Sequence, residues 1–107
     1  MAEYYADGDL IDYTPSSAVA AGDVVLVGDT VTVAPRPIAA GKLGAVAVEG
    51  VFKLPKASGA ISQGVIVYWD ATAGNITTTA TNNKRAGKAA AAAASGDAVV
   101  AVLLNIG

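Results

Sequence analysis

The chain has 107 residues, a net charge of −2, 53% hydrophobic and 15% charged residues, and neither Cys nor His. That length allows one domain, with a core burying about two-thirds of the unfolded surface. Absence of Cys forbids disulfides and leaves the redox compartment open; absence of both residues removes the common nucleophile–base pairs and leaves zinc only carboxylates.

Charged residues fall well below the roughly 25% of ordinary domains. Such a surface suits close packing against neighbours, and equally a robust monomer. Residues 1–35 carry Glu3, Asp7, Asp9, Asp12, Asp23 and Asp29 with no base, whereas residues 36–107 hold all seven bases and three carboxylates. This polarity fits attraction between copies as well as it fits a solvated acidic segment. The five Lys and two Arg are scattered without interleaved aromatics, so no nucleic-acid partner is expected. The longest apolar run, Ala98–Leu104, is seven residues, against about twenty for a membrane span, so no membrane partner is expected. No basic stretch precedes an apolar one at the start, and no secretion signal is expected.

In chain order, residues 1–13 read as an acidic, tyrosine-bearing arm in which Leu10–Tyr13 forms a first short strand. The β domain then occupies residues 14–107. The leading stretch is either a frayed arm or one that orders on a partner; Tyr, which brings contact area at low entropic cost, favours ordering of Glu3–Asp12. Thr14–Ser17 is a turn. Val24–Val27 and Thr30–Val33 form a hairpin around Gly28-Asp29, a Gly-X pair of the kind two-residue hairpins use. Pro35 and Pro37 end it. After a Gly-bracketed turn at Ile38–Gly44, Ala45–Val48 is a strand that runs on through Gly50 into Val51-Phe52.

The stretch Gly50–Asp70 reads as strand, wide turn, strand, and carries the single Phe and single Trp. Turns at Asp70–Gly74 and Thr81–Lys84 flank a Thr-rich strand, Ile76–Ala80. Ala86–Ala94 reads as a strand, with a short helix as the alternative: six consecutive alanines favour helix, but an isolated helix under about twelve residues is marginal. Ala98–Leu104 does not alternate in polarity and is expected to be buried on both faces. A small or polar pair followed by Gly precedes four of these strands, at Gly22, Gly41, Gly64 and Gly96, with irregular spacing. Seven or eight short strands predict an all-β fold, a small barrel or sandwich.

No reaction emerges from the motifs. Gly41-Lys42 and Gly87-Lys88 are followed by Leu43 and Ala89, so neither completes a phosphate loop. Asp7, Asp9 and Asp12 lack the continuing ligand series of a calcium loop and read as a solvated face. Tyr68-Trp69-Asp70 suggests a stacking platform, but neighbouring strand residues point to opposite sides, so one ring belongs to the core. Leu54-Pro55-Lys56 reads equally as a protruding contact loop or as an edge strand ended by Pro. No catalytic residue, cofactor site or metal site is expected.

Gly22-Asp23-Val24-Val25, Ile38–Gly41, Gly50–Lys56, Val67–Asp70, Thr77–Thr79 and Ser95–Asp97 together resemble the DUF2190 family of phage and prophage proteins, associated with capsid decoration or cement. The resemblance implies a non-enzymatic β-rich protein made in the bacterial cytoplasm and carried on the outer capsid surface. It implies the major capsid protein as partner and a homotrimer at three-fold or quasi-three-fold positions. On this reading Glu3, Tyr4, Tyr5, Asp7, Leu54, Pro55 and Lys56 form the capsid or subunit interface. The runner-up is a spike or tail-associated adaptor, and an enzyme or small-ligand module is third.

Overall fold

β-branched runs and Gly-punctuated turns alternate along the sequence, and the backbone follows them. The computed structural model describes residues 10–105 and contains no helix among them. The strands are β1 (Leu10–Tyr13), β2 (Val24–Val27), β3 (Thr30–Val33), β4 (Gly44–Ala47), β5 (Val51–Pro55), β6 (Ile66–Asp70), β7 (Asn75–Thr77), β8 (Lys84–Ala89) and β9 (Val99–Leu104). They form two antiparallel sheets, ordered β1-β4-β3-β2 and β5-β9-β8-β6-β7. The fold is a sandwich rather than a closed barrel, although a parallel bridge from Lys56 to Ile76 draws the edges of the five-stranded sheet toward each other.

The main core lies between the sheets. Val31 and Val33 of β3 meet Leu54, Val67, Ile76, Val100, Val102 and Leu104. A smaller core of Val25, Ala34, Ile38 and Val46 fills the other side of the four-stranded sheet, under the segments that flank it. Thr32 is fully buried there, and its hydroxyl donates to the Val25 carbonyl at 2.7 Å.

The second sheet repeats the first. In each, the leading strand pairs with the last, the last with the third and the third with the second: β1, β4, β3, β2 recur as β5, β9, β8, β6. Tyr13 opposes Gly44 and Leu10 opposes Ala47, just as Pro55 opposes Val99 and Phe52 opposes Val102. The Val19–Ile38 bridge has its counterpart in Ile61–Ala93. Gly22 N–H donates to Ala34 O at 2.7 Å and Ala34 N–H to Asp23 O at 2.9 Å; Gly64 N–H donates to Ala89 O at 2.8 Å and Ala89 N–H to Val65 O at 2.9 Å. Asp23 and Asp97, at non-corresponding positions of the two copies, each accept from the amide three residues earlier, Ala20 and Ala94. The four Gly turns noted in the sequence are thus two pairs, and their irregular spacing reflects β7 and its loops, inserted in the second copy alone. Gly22, Gly41 and Gly64 take φ of +87, +74 and +86°, while Gly96 does not enter that region.

Several sequence expectations change. The nine strands found exceed the seven or eight expected, because Ala45–Phe52 is broken at Val48–Gly50, where the chain passes from one sheet to the other. The Thr-rich strand is Asn75–Thr77 and so ends earlier than Ala80. The alanine run forms no helix. Ala86 and Ala89 lie in β8, Ala93 bridges to Ile61, and all three pack in the core. Six alanines are too few to sustain a helix, and the expected strand stops at Ala89: Ala90 and Ala91 bend, Ala93 is buried at its bridge, and Ala90 N–H donates to Ala101 O at 2.8 Å. β9 is not buried on both faces: Val100, Val102 and Leu104 point inward at 3, 0 and 2% exposure, while Val99 is 46% exposed. Its non-alternating sequence arises because the outer face is apolar too.

A bulge in β8 sets which residues face outward. Val67 opposes Gly87 but Tyr68 opposes Arg85, so Ala86 is an extra residue. Its carbonyl accepts from Asn105 N–H at 2.7 Å. Asn105 also donates through Nδ2 to Val31 O at 3.0 Å and Val48 O at 2.7 Å, tying the second sheet to the first. A Cβ on Gly87 would stand 1.9 Å from the Leu103 carbonyl oxygen. Gly87→Ala is therefore expected to lower unfolding free energy by at least about 3 kcal/mol in denaturant melts. Gly41→Ala, at positive φ but with open space around its Cβ, should lose only about 1–2 kcal/mol.

Candidate functional site

The feature that stands out is the outer face of the five-stranded sheet. Strand alternation and the registers place Val51, Lys53 and Pro55 of β5 on it, with Val99, Ala101 and Leu103 of β9 beside them. Lys88 opposes both Leu103 and Ile66, and Arg85 opposes Tyr68, so these four strands share one surface. Val51, Val99 and Ile66 are 57, 46 and 40% exposed. Residues 85 and 88 would face opposite ways in a regular strand; the extra residue Ala86 brings both cations outward.

Among the described residues, the charged side chains on this face are mostly cations. Lys53, Arg85 and Lys88 lie within it, and the one carboxylate in the same alternation, Asp70, stands at the strand end. Its Oδ1 accepts from Thr72 N–H at 3.0 Å and Ala73 N–H at 3.1 Å. Asp23 and Asp97 are likewise held in turns, and Asp29 pairs with Lys84. Sequence reasoning did not single out this face. Its trace was Val51-Lys53-Pro55 alternating with Phe52-Leu54, but which set faced solvent depended on the register.

The expected interface residues separate. Glu3, Tyr4, Tyr5 and Asp7 lie outside the described residues, as does Asp9, whereas Asp12 is exposed on β1. Pro55 is exposed on the outer face. Leu54 is 1% exposed and belongs to the core, and Lys56 is 8% exposed with Nζ donating to Ala57 O at 2.8 Å and Ser95 O at 3.1 Å. As corrections, Leu54 and Lys56 are therefore not surface contacts: alternation along β5 turns them inward while turning Pro55 out. Trp69 packs on the core and Tyr68 shares the outer face, so the two rings form no joint platform.

A second apolar area lies on the four-stranded sheet. Leu43 is 70% exposed, and a groove of about 400 Å³ beside it is lined by Leu10, Pro35, Arg36, Pro37 and Ile38. A second hollow, about 300 Å³, is lined by Val19, Asp23, Val25, Pro55 and Trp69. It holds a single carboxylate, already bonded to the Ala20 amide, so its lining supplies no acid–base pair. No group of three or more His, Cys, Asp or Glu suited to a metal occurs among the described residues. No helix of the described residues is long and apolar enough to cross a membrane.

A family model described as phage cement protein matches residues 5–104. The chain belongs to that family. It functions as a phage capsid cement, or decoration, protein, and its place is the capsid of the virion. Comparison with curated proteins and with solved structures gives no match. For a cement, exposed apolar skin matters more than hollows, because its work is adhesion to other subunits.

Two predictions separate scaffold from skin. Leu54→Ala is expected to lower stability by about 2–5 kcal/mol in denaturant melts, as for a core leucine. Lys84 holds the Asp29 carboxyl below its ordinary value of 3.8, first through their 2.6 Å hydrogen bond and then through charge. The stabilisation is thus present above that ordinary value and is lost as pH falls below it. A small melting-temperature difference between wild type and Asp29→Asn near neutral pH should vanish on acidification well below that ordinary value.

Proposed function

We propose that the protein binds the major capsid protein on the outside of the shell and holds neighbouring capsomers together against internal pressure. The observation that carries this reading is the match over residues 5–104 joined to two exposed apolar areas on different sheets. A cement must grip at least two bodies, and two areas provide for that. A non-enzymatic role, a homotrimeric state and membership of the DUF2190 group belong to the same proposal.

In this reading the groove beside Leu43, with Leu10 and the Pro35–Pro37 corner, faces the shell. Glu3, Tyr4, Tyr5, Asp7 and Pro55 contribute to capsid or subunit contacts. Assembly follows synthesis in the bacterial cytoplasm. A spike or tail-associated adaptor would occur in a few copies per particle, whereas a cement covers the shell.

The test is occupancy on mature shells lacking the protein, read by sedimentation and gel densitometry. Leu43→Asp should reduce affinity at least about tenfold, the loss of one buried leucine's worth of contact, with an unchanged melting curve. Deleting residues 2–9 should also lower occupancy; unchanged occupancy would remove the arm from the interface. Near-complete binding by both variants would end the proposal.

A further inference from the structure

We propose that the outer face of the five-stranded sheet is a docking surface for residues 1–9 of a second copy of this chain. The contact would exist without any shell, and so goes beyond the reading above. Three observations converge on it.

The first is charge. Among the described residues, the face presents Lys53 and Lys88 two strands apart, while the one carboxylate in the same alternation, Asp70, is held in a turn. Residues 1–9 contain Glu3, Asp7 and Asp9 and no base. The second is apolar area. Val51, Ile66 and Val99 are exposed around the cations, with Leu103 and Tyr68 half-buried among them, and the acidic segment brings Tyr4 and Tyr5. Tyr rings cover apolar surface while their hydroxyls remain solvated.

The third is reach. Nine residues span at most about 30 Å. Five strands spaced about 4.8 Å apart make a face about 20 Å across, so the segment is long enough to cross it. Its attachment point decides between copies. Leu10 begins β1, an edge strand of the other sheet. To reach this face in its own molecule, the segment would first have to pass the thickness of the sandwich, about 10 Å between sheets. Asp7 and Asp9 would be spent on that passage. A second copy brings all three carboxylates onto the cationic face.

Such a contact joins unlike surfaces, arm to face, and is therefore head-to-tail. Repeated around an axis it closes into a ring and leaves the groove beside Leu43 free on every member.

The experiment uses the purified full chain, with solution mass measured by light scattering and no capsid present. Wild type should be a closed oligomer. The chain lacking residues 2–9 and the intact-arm variant Lys53→Glu/Lys88→Glu should each be monomeric, with cooperative melts showing retained folds. Mixed, the two should form a one-to-one heterodimer, because one supplies the bare face and the other the arm. High salt should dissociate it, as expected for charges screened over about 8 Å or less. Should the double variant fail to fold, Val99→Asp takes its place. An oligomer that survives removal of residues 2–9, or two monomeric variants that do not combine, would overturn the proposal. Shell occupancy is measured separately, so loss of shell binding with the heterodimer intact would count against the capsid reading alone.

Discussion

One extra residue in β8 governs what the molecule shows to its surroundings. Ala86 lets β8 place both Arg85 and Lys88 on the outer face while Ala86 and Gly87 turn to the core. Remove the bulge and every side chain on one side of it would exchange faces. The bulge exists because Gly87 accepts the close approach of the Leu103 carbonyl, and because the Ala86 carbonyl finds the Asn105 amide. Asn105 then reaches the first sheet through its side chain, to Val31 and Val48. A local irregularity thus connects strand phase, closure of the chain's end and the joint between the sheets.

The repeated sheet shows how one backbone plan acquires two roles. Both copies use the same bridge, the same Gly turn and the same amide–carbonyl exchange to set their strands. In the first copy, one face meets the core between the sheets and the other lies partly under Val19 and Ile38, with Leu10 and Leu43 left exposed. In the second, the β8–β9 pairing is displaced by one residue relative to β3–β4, since Ala89 and not Lys88 opposes Val102, whereas Val33 opposes Ala47. β7 adds Ile76 to the core and caps the β6 edge. The second copy thus leaves the outward face of its sheet uncovered.

Electrostatics follows from the same arrangement. Asp23, Asp70 and Asp97 serve their own turns, and Asp29 meets Lys84. Local satisfaction of these carboxylates leaves the outer face cationic in a chain whose net charge is negative. For a cement protein, this separates the polarity of an exposed face from the overall charge of the chain.

Residue chemistry alone determined the β class, the hairpin at Gly28-Asp29, the lack of His- and Cys-based chemistry and, through strand and turn residues such as Gly50–Lys56, the family. These are local properties, since each depends on a few consecutive side chains and on the φ values they permit. The fate of the alanines, the break at Val48–Gly50, the inward turn of Leu54 and Lys56 and the outward turn of Val99 were decided by tertiary structure. Each depends on which strand lies alongside and in what register. Apolar side chains on both sides of β9 read identically in sequence, and only the partner sheet determines which of them water can reach.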